Sequence, residues 1–114
     1  MIKVIKSFSS IINKWEIQKY DFEGSSFRFQ AKIQFIDSSI LNIKEYYFEK
    51  DGKRKYSYHW MNSKNELIIR WDNSDHWQEI TTFPYHEHHK TISNVKPSRT
   101  ITLQEVLTTI SSKF

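Results

Sequence analysis

The chain reads as a single α+β domain spanning residues 1–114, an antiparallel meander of about five strands with one helix at each end of the chain. Three observations predict it. Phe27, Phe29, Ala31, Ile33 and Phe35 alternate with Arg28, Gln30, Lys32 and Gln34, the period-two pattern of a half-buried strand. Apolar residues at helical spacing occur near both ends of the chain. Between the strand-like segments lie short connections rich in turn residues, which favour antiparallel neighbours.

Taken in order, Val4, Ile5, Phe8, Ile11, Ile12 and Trp15 predict an amphipathic helix over Lys3–Asn13 that covers the core. Strands follow at Glu16–Phe22, Phe27–Phe35, Ser39–Glu49, Arg54–Asn62 and Glu66–Asp72. They are separated by Glu23-Gly24-Ser25, Asp37-Ser38-Ser39, Asp51-Gly52 and Asn62-Ser63-Lys64-Asn65, all sequences with turn chemistry. Residues Asn73–Pro97 have neither period and hold both prolines, so a long ordered loop is expected. Loops of that length in compact domains usually serve a function. Thr102 and Glu105 form a capping box ahead of the stripe Leu103, Val106, Leu107 and Ile110, which predicts the closing helix.

Composition narrows the function. Hydrophobic content is only 38% but 16% of residues are aromatic, so the core is expected to be built from rings. The absence of cysteine excludes a disulfide framework, a thiolate nucleophile and Cys-based metal centres. Two glycines are too few for a glycine-rich phosphate loop. The N-terminus lacks an apolar run of signal-peptide length and no stretch approaches membrane-spanning length. A soluble, cytoplasmic protein is therefore expected. A net charge of +4 and a pI near 9.3 favour an anionic partner such as RNA, DNA or an acidic protein.

The charge is unevenly placed. All five histidines and three of the four tryptophans fall between Tyr56 and His89. Between Trp71 and His89 there are four acids, four histidines and no Lys or Arg, whereas the remainder carries all 17 basic residues against nine acids. A basic body thus frames an acidic, histidine-rich segment, a layout that suits a polyanion held beside groups able to exchange protons near pH 7. Packing into an aromatic corner explains any one of these histidines equally well.

If the Asn62–Asn65 turn pairs Trp60 with Leu67, Tyr58 with Ile69 and Tyr56 with Trp71, one face of the hairpin is apolar. The other face then presents Lys55, Ser57 and His59 beside Ile68, Arg70 and Asp72, because side chains alternate across a strand. A two-residue turn at Asp51-Gly52 adds Lys44 and Tyr46 to that face. RNA cleavage by internal attack needs a base for the 2′-hydroxyl, an acid for the leaving oxygen and a cation for the phosphorane. His59, His76, His86 and His88 are candidates for base and acid, Arg70 for the phosphate, and Asp72 for orienting a histidine or pairing with Arg70. A structural ion pair explains Arg70 and Asp72 equally well. For holding RNA the candidates are the cations Lys44, Lys53, Arg54 and Lys55 and the rings of Tyr58 and Trp60, although rings on strands are more often core. His86-Glu87-His88-His89 also suggests a metal site, with His76 or Glu79 as a further ligand, but no standard ligand spacing is met. Metal binding therefore ranks second, and no cofactor is expected.

These motifs resemble those of the TumE family, the toxins of TumE–TumA toxin–antitoxin modules. Tyr56-Ser57-Tyr58-His59-Trp60, Arg70-Trp71-Asp72-Asn73, His76, Thr82-Phe83-Pro84, His86 and His88 match the family pattern. Ser74 and Asp75 stand in place of its Ala-Pro, and Trp77 and Tyr85 in place of two of its histidines. The resemblance implies a growth-inhibiting toxin that cuts translation-associated RNA, on the ribosome or free of it, and a cognate DNA-binding antitoxin of the TumA type. Because Trp77 and Tyr85 replace histidines, it directs attention to His59, His76, His86 and His88. A non-catalytic RNA- or ribosome-binding module, or a metal-dependent hydrolase, are the rival readings.

Overall fold

The computed structural model describes residues 1–73, 85–91 and 100–114, and the backbone of 95–97. Helix α1 (Ile2–Ser7) and a 3-10 turn (Ser9–Ile11) lead into strands β1 (Ile12–Glu23), β2 (Ser26–Phe35), β3 (Ile40–Phe48), β4 (Lys53–Met61) and β5 (Leu67–Asp72). Strands β6 (His86–His89) and β7 (Val95–Pro97) and helix α2 (Leu103–Ser111) follow. The strands form one antiparallel sheet in chain order, β1 to β7. The α+β class, the five predicted strands and both terminal helices are therefore as expected.

Three features differ from expectation. Helix α1 stops at Ser7, where the Ser7 hydroxyl donates to the Val4 carbonyl at 2.6 Å. Serine hydroxyls compete in this way for backbone groups and weaken a helix, so Ile12 and Asn13 already belong to β1. The region expected to be a loop supplies two more strands, β6 and β7, which extend the meander at the β5 edge. Third, both hairpins of β4 are paired two residues away from the expected register. A four-residue connection, Glu49–Gly52, closes β3 to β4 with Gly52 at φ +64°. Between β4 and β5 the Asn62 amide donates to the Glu66 carbonyl across three loop residues, with Asn65 at φ +63°, and an irregularity follows between Met61 and Trp60. Trp60 therefore faces Ile69 and Tyr58 faces Trp71. A shift of two leaves every side chain on its expected face.

One face of the sheet is covered by the helices. Phe29, Ala31, Ile33 and Phe35 of β2, Leu41 and Ile43 of β3, the rings of β4 and β5, Ile5 of α1 and the α2 stripe form a continuous core. The Thr102 hydroxyl accepts from the Glu105 amide at 3.3 Å, which caps α2 as the sequence predicts. Leu103, Val106, Leu107 and Ile110 are all buried, and each such side chain contributes about 1.5–3 kcal/mol by leaving water. Among the described residues no helix is long and apolar enough to cross a membrane.

Candidate functional site

The face of the sheet opposite the helices carries the candidate chemistry. Side chains directly opposite one another on neighbouring strands share a face, so the registers define two rows across the sheet. One runs Lys32, Asn42, His59, Arg70, His88, and the next Gln30, Lys44, Ser57, Asp72, His86. Lys55 and Tyr46 lie one row further along. The expected gathering of Lys44, Lys55, His59, Arg70 and Asp72 on one face is what the structure contains. Lys53, opposite Phe48, joins the same face and is exposed.

At the β5–β6 end these rows close into a connected cluster. Asp72 is its hub. Its Oδ2 accepts from Arg70 Nε at 3.0 Å, its Oδ1 lies 2.6 Å from His86 Nε2, and Oδ2 lies 3.3 Å from His88 Nε2. The two imidazoles meet edge to face with centroids 5.0 Å apart. Asp72, His86 and His88 are buried, while Arg70 and His59 are partly open. Arg70 Nη1 approaches His59 Nδ1 at 3.3 Å. A guanidinium can only donate, so Nδ1 is the acceptor and the imidazole proton sits on Nε2. Burial holds the His59 pKa below the usual histidine value, and the positive charge of Arg70 and the proximity of His88 push it the same way. His59 is thus neutral at pH 7, the form that can take a proton.

Alternation along β6 sorts the last three histidines. His86 and His88 point to Asp72, and His89 faces the other way, where its Nε2 lies 3.3 Å from Glu87 Oε2. Within the expected metal-ligand segment, His86 and His88 share a side and His89 does not; Asp72 stands with the pair, and one ligand atom from each of the three lies within 4.8 Å of the others. His76 and Glu79 lie outside the described residues.

Three of the expected RNA contacts belong to the core instead. Tyr58 is fully buried and Trp60 nearly so, which leaves neither ring a face for a base. Trp60 Nε1 donates to Ser39 Oγ at 3.0 Å. Arg54 is directed to the helix-covered side. Its Nη1 donates to Glu45 Oε1 and to the Tyr58 hydroxyl oxygen, both at 3.0 Å, and Nη2 donates to the Ile101 carbonyl and to Thr100 Oγ1. The guanidinium also sits 4.4 Å from the centre of the Tyr56 ring. Sequence reasoning missed this network, although Glu45 stands two residues after Ile43 on the apolar side of β3. A carboxylate in that position calls for a buried partner.

Asn73 ends β5 by extending the sheet with its side chain. Its Oδ1 accepts from the Tyr56 amide at 2.9 Å and its Nδ2 donates to the Arg54 carbonyl at 2.7 Å. These two bonds to β4 anchor Asn73 directly after Asp72. A groove at the opposite end of the sheet, lined by Asp21, Phe22, Phe27, Arg28 and Tyr47, contains no histidine.

No curated protein and no solved structure is significantly similar to this chain. The family model described as Toxin TumE matches residues 1–114, its whole length, and the protein belongs to that family of toxins of toxin–antitoxin systems.

Proposed function

We propose that this toxin is an endoribonuclease acting on translation-associated RNA by proton transfer, with the phosphodiester bound on the face of the sheet opposite the helices. The observation that carries this reading is the row His59, Arg70, His88, with Lys44 and Lys55 exposed on the same face. Exposed lysines attract the phosphate backbone. Arg70 is the phosphate ligand, and its fork can contact two oxygens at once. When Arg70 turns from His59 to a phosphate, Nδ1 of His59 loses its donor and its lone pair becomes available to the ribose 2′-hydroxyl. Substrate binding thereby releases the base. The second proton-transfer group comes from His76, His86 and His88. Asp72 is a positioning residue that holds Arg70 and the two buried imidazoles. Family membership implies a cognate antitoxin; that this partner binds DNA, and that the toxin acts in the cytoplasm on RNA or on the ribosome, belong to the same proposal.

The test is 5′-end mapping of cellular RNA after a short induced pulse of wild-type protein and of His59→Ala, with a chelator-treated lysate alongside. New ends that survive chelation and disappear in the variant are expected. Growth arrest without new ends would instead identify a module that blocks translation by occupying RNA or the ribosome.

A further inference from the structure

We propose that Asp72, His86 and His88 form a binding site for one divalent transition-metal ion of the zinc type, joining β5 to β6. The inference goes beyond the ribonuclease reading and restricts it: with an ion bound, His86 and His88 are ligands, and His76 is left as the proton-transfer partner of His59.

Donor geometry is the first argument. Both Nε2 atoms converge on the same carboxylate, at 2.6 and 3.3 Å from its two oxygens. A tetrahedral ion with bonds of about 2.0–2.1 Å requires donors about 3.3 Å apart. His88 Nε2 and Asp72 Oδ2 already stand at that separation, His86 Nε2 lies closer than that to Oδ1, and one ligand atom from each of the three residues lies within 4.8 Å of the others. The second argument is rigidity. Asp72 and His86 are directly opposed across the β5–β6 ladder, and His88 follows two residues along the same strand. All three donors therefore sit on hydrogen-bonded strands, the kind of support that preorganises a metal site. The third is burial. The three residues are 1–4% exposed, so no shell of bulk water competes for the ion.

The donor set selects the ion. Two imidazoles and one carboxylate suit zinc, cobalt or nickel, whereas magnesium and calcium ask for oxygen donors. Arg70 Nε on Oδ2 of Asp72 is an outer contact of the kind that orients a ligating carboxylate. Its positive charge lowers the affinity without altering the donors.

The experiment needs no RNA, so its failure is separable from failure of the ribonuclease reading. Purified full-length protein, stripped with chelator and dialysed, is titrated with Co²⁺ while the visible d–d absorption and the melting temperature are followed. Expected are one equivalent bound per chain, displacement by Zn²⁺, and a melting temperature raised by roughly 5–15 °C at a hundredfold excess over Kd. His88→Gln should lose the saturable absorption, and His89→Gln should titrate like wild type. Imidazole ¹⁵N spectra of the wild-type protein with and without Zn²⁺ locate the site even if a variant fails to fold. Signals of His86 and His88 should shift while those of His59 and His89 stay in place. Absence of saturable Co²⁺ binding by wild-type protein, binding unchanged in His88→Gln, or unshifted His86 and His88 signals would each overturn the proposal.

Discussion

Among the described residues each face of the sheet holds one arginine–carboxylate pair with an N–O distance of 3.0 Å, Arg54 with Glu45 under the helices and Arg70 with Asp72 on the opposite side. Their neighbours make them different. Around Arg54 stand two tyrosines. Burial pushes the Tyr56 hydroxyl up to about 12, and burial together with the Glu45 charge pushes Tyr58 higher still. Neither exchanges a proton at physiological pH, and both terminal nitrogens of the guanidinium are engaged, with Glu45, Tyr58, Thr100 and Ile101. That pair ties the segment before α2 to the sheet. Around Arg70 stand three histidines, groups whose ordinary pKa is near neutrality, and the guanidinium is partly open. Spacing alone does not distinguish the two pairs; the side chains around them do.

Substitutions on the two faces should therefore separate into two phenotypes. The largest expected effect is from His59→Ala, which should lower RNA cleavage about 10²–10⁴-fold, the usual contribution of a positioned base, with the melting temperature nearly unchanged. Parallel cleavage assays and thermal melts check both halves; retained cleavage would remove His59 from the chemistry. Arg70→Lys keeps the charge but loses the fork, and should cost about 10²-fold in cleavage, again with little change in folding. On the other face, Glu45→Ala strands Arg54 and the Tyr58 hydroxyl, and should destabilise the protein by about 2–3 kcal/mol. Urea denaturation measures it, and the surviving folded fraction should cleave normally. If Glu45→Ala abolished cleavage without loss of stability, the contrast between the faces would fail.

The smallest effect concerns pH. Because the folded protein holds His59 below its unfolded pKa of about 6.5, the unfolded chain binds the proton more readily. Both forms are neutral above that value, so His59 imposes no penalty there. As pH falls from about 6.5 toward the folded pKa, stability is lost. Wild-type protein should therefore lose more stability than His59→Gln between pH 7.5 and 5.5, in denaturation curves measured at constant ionic strength.

Much of this arrangement was legible because a strand has a period of two. The alternation of Phe27 to Phe35, the Thr102 cap and the sorting of His59, Arg70 and Asp72 onto one face follow from local pattern, and the sorting survived a register error because that error was even. Turn geometry was less legible: Asp51-Gly52 looks like a two-residue turn, yet the connection begins at Glu49. Strand β6 was hidden because His-Glu-His-His has no apolar alternation, although its first and third residues are buried. That burial depends on contacts made across the sheet with Asp72, and these are not local in sequence. The role of Arg54 was misread for a similar reason, since its partners Thr100 and Ile101 lie more than forty residues away.

A sheet whose strands lie side by side in chain order also sets a timetable. Each strand can pair with one already present, so loop closures stay short and the ladder can grow from the N-terminal end as the chain leaves the ribosome. His59 and Arg70 come together when the β4–β5 hairpin closes, but His86 and His88 reach Asp72 only when the sixth strand arrives. The Asp72 cluster is therefore incomplete for most of the chain's synthesis.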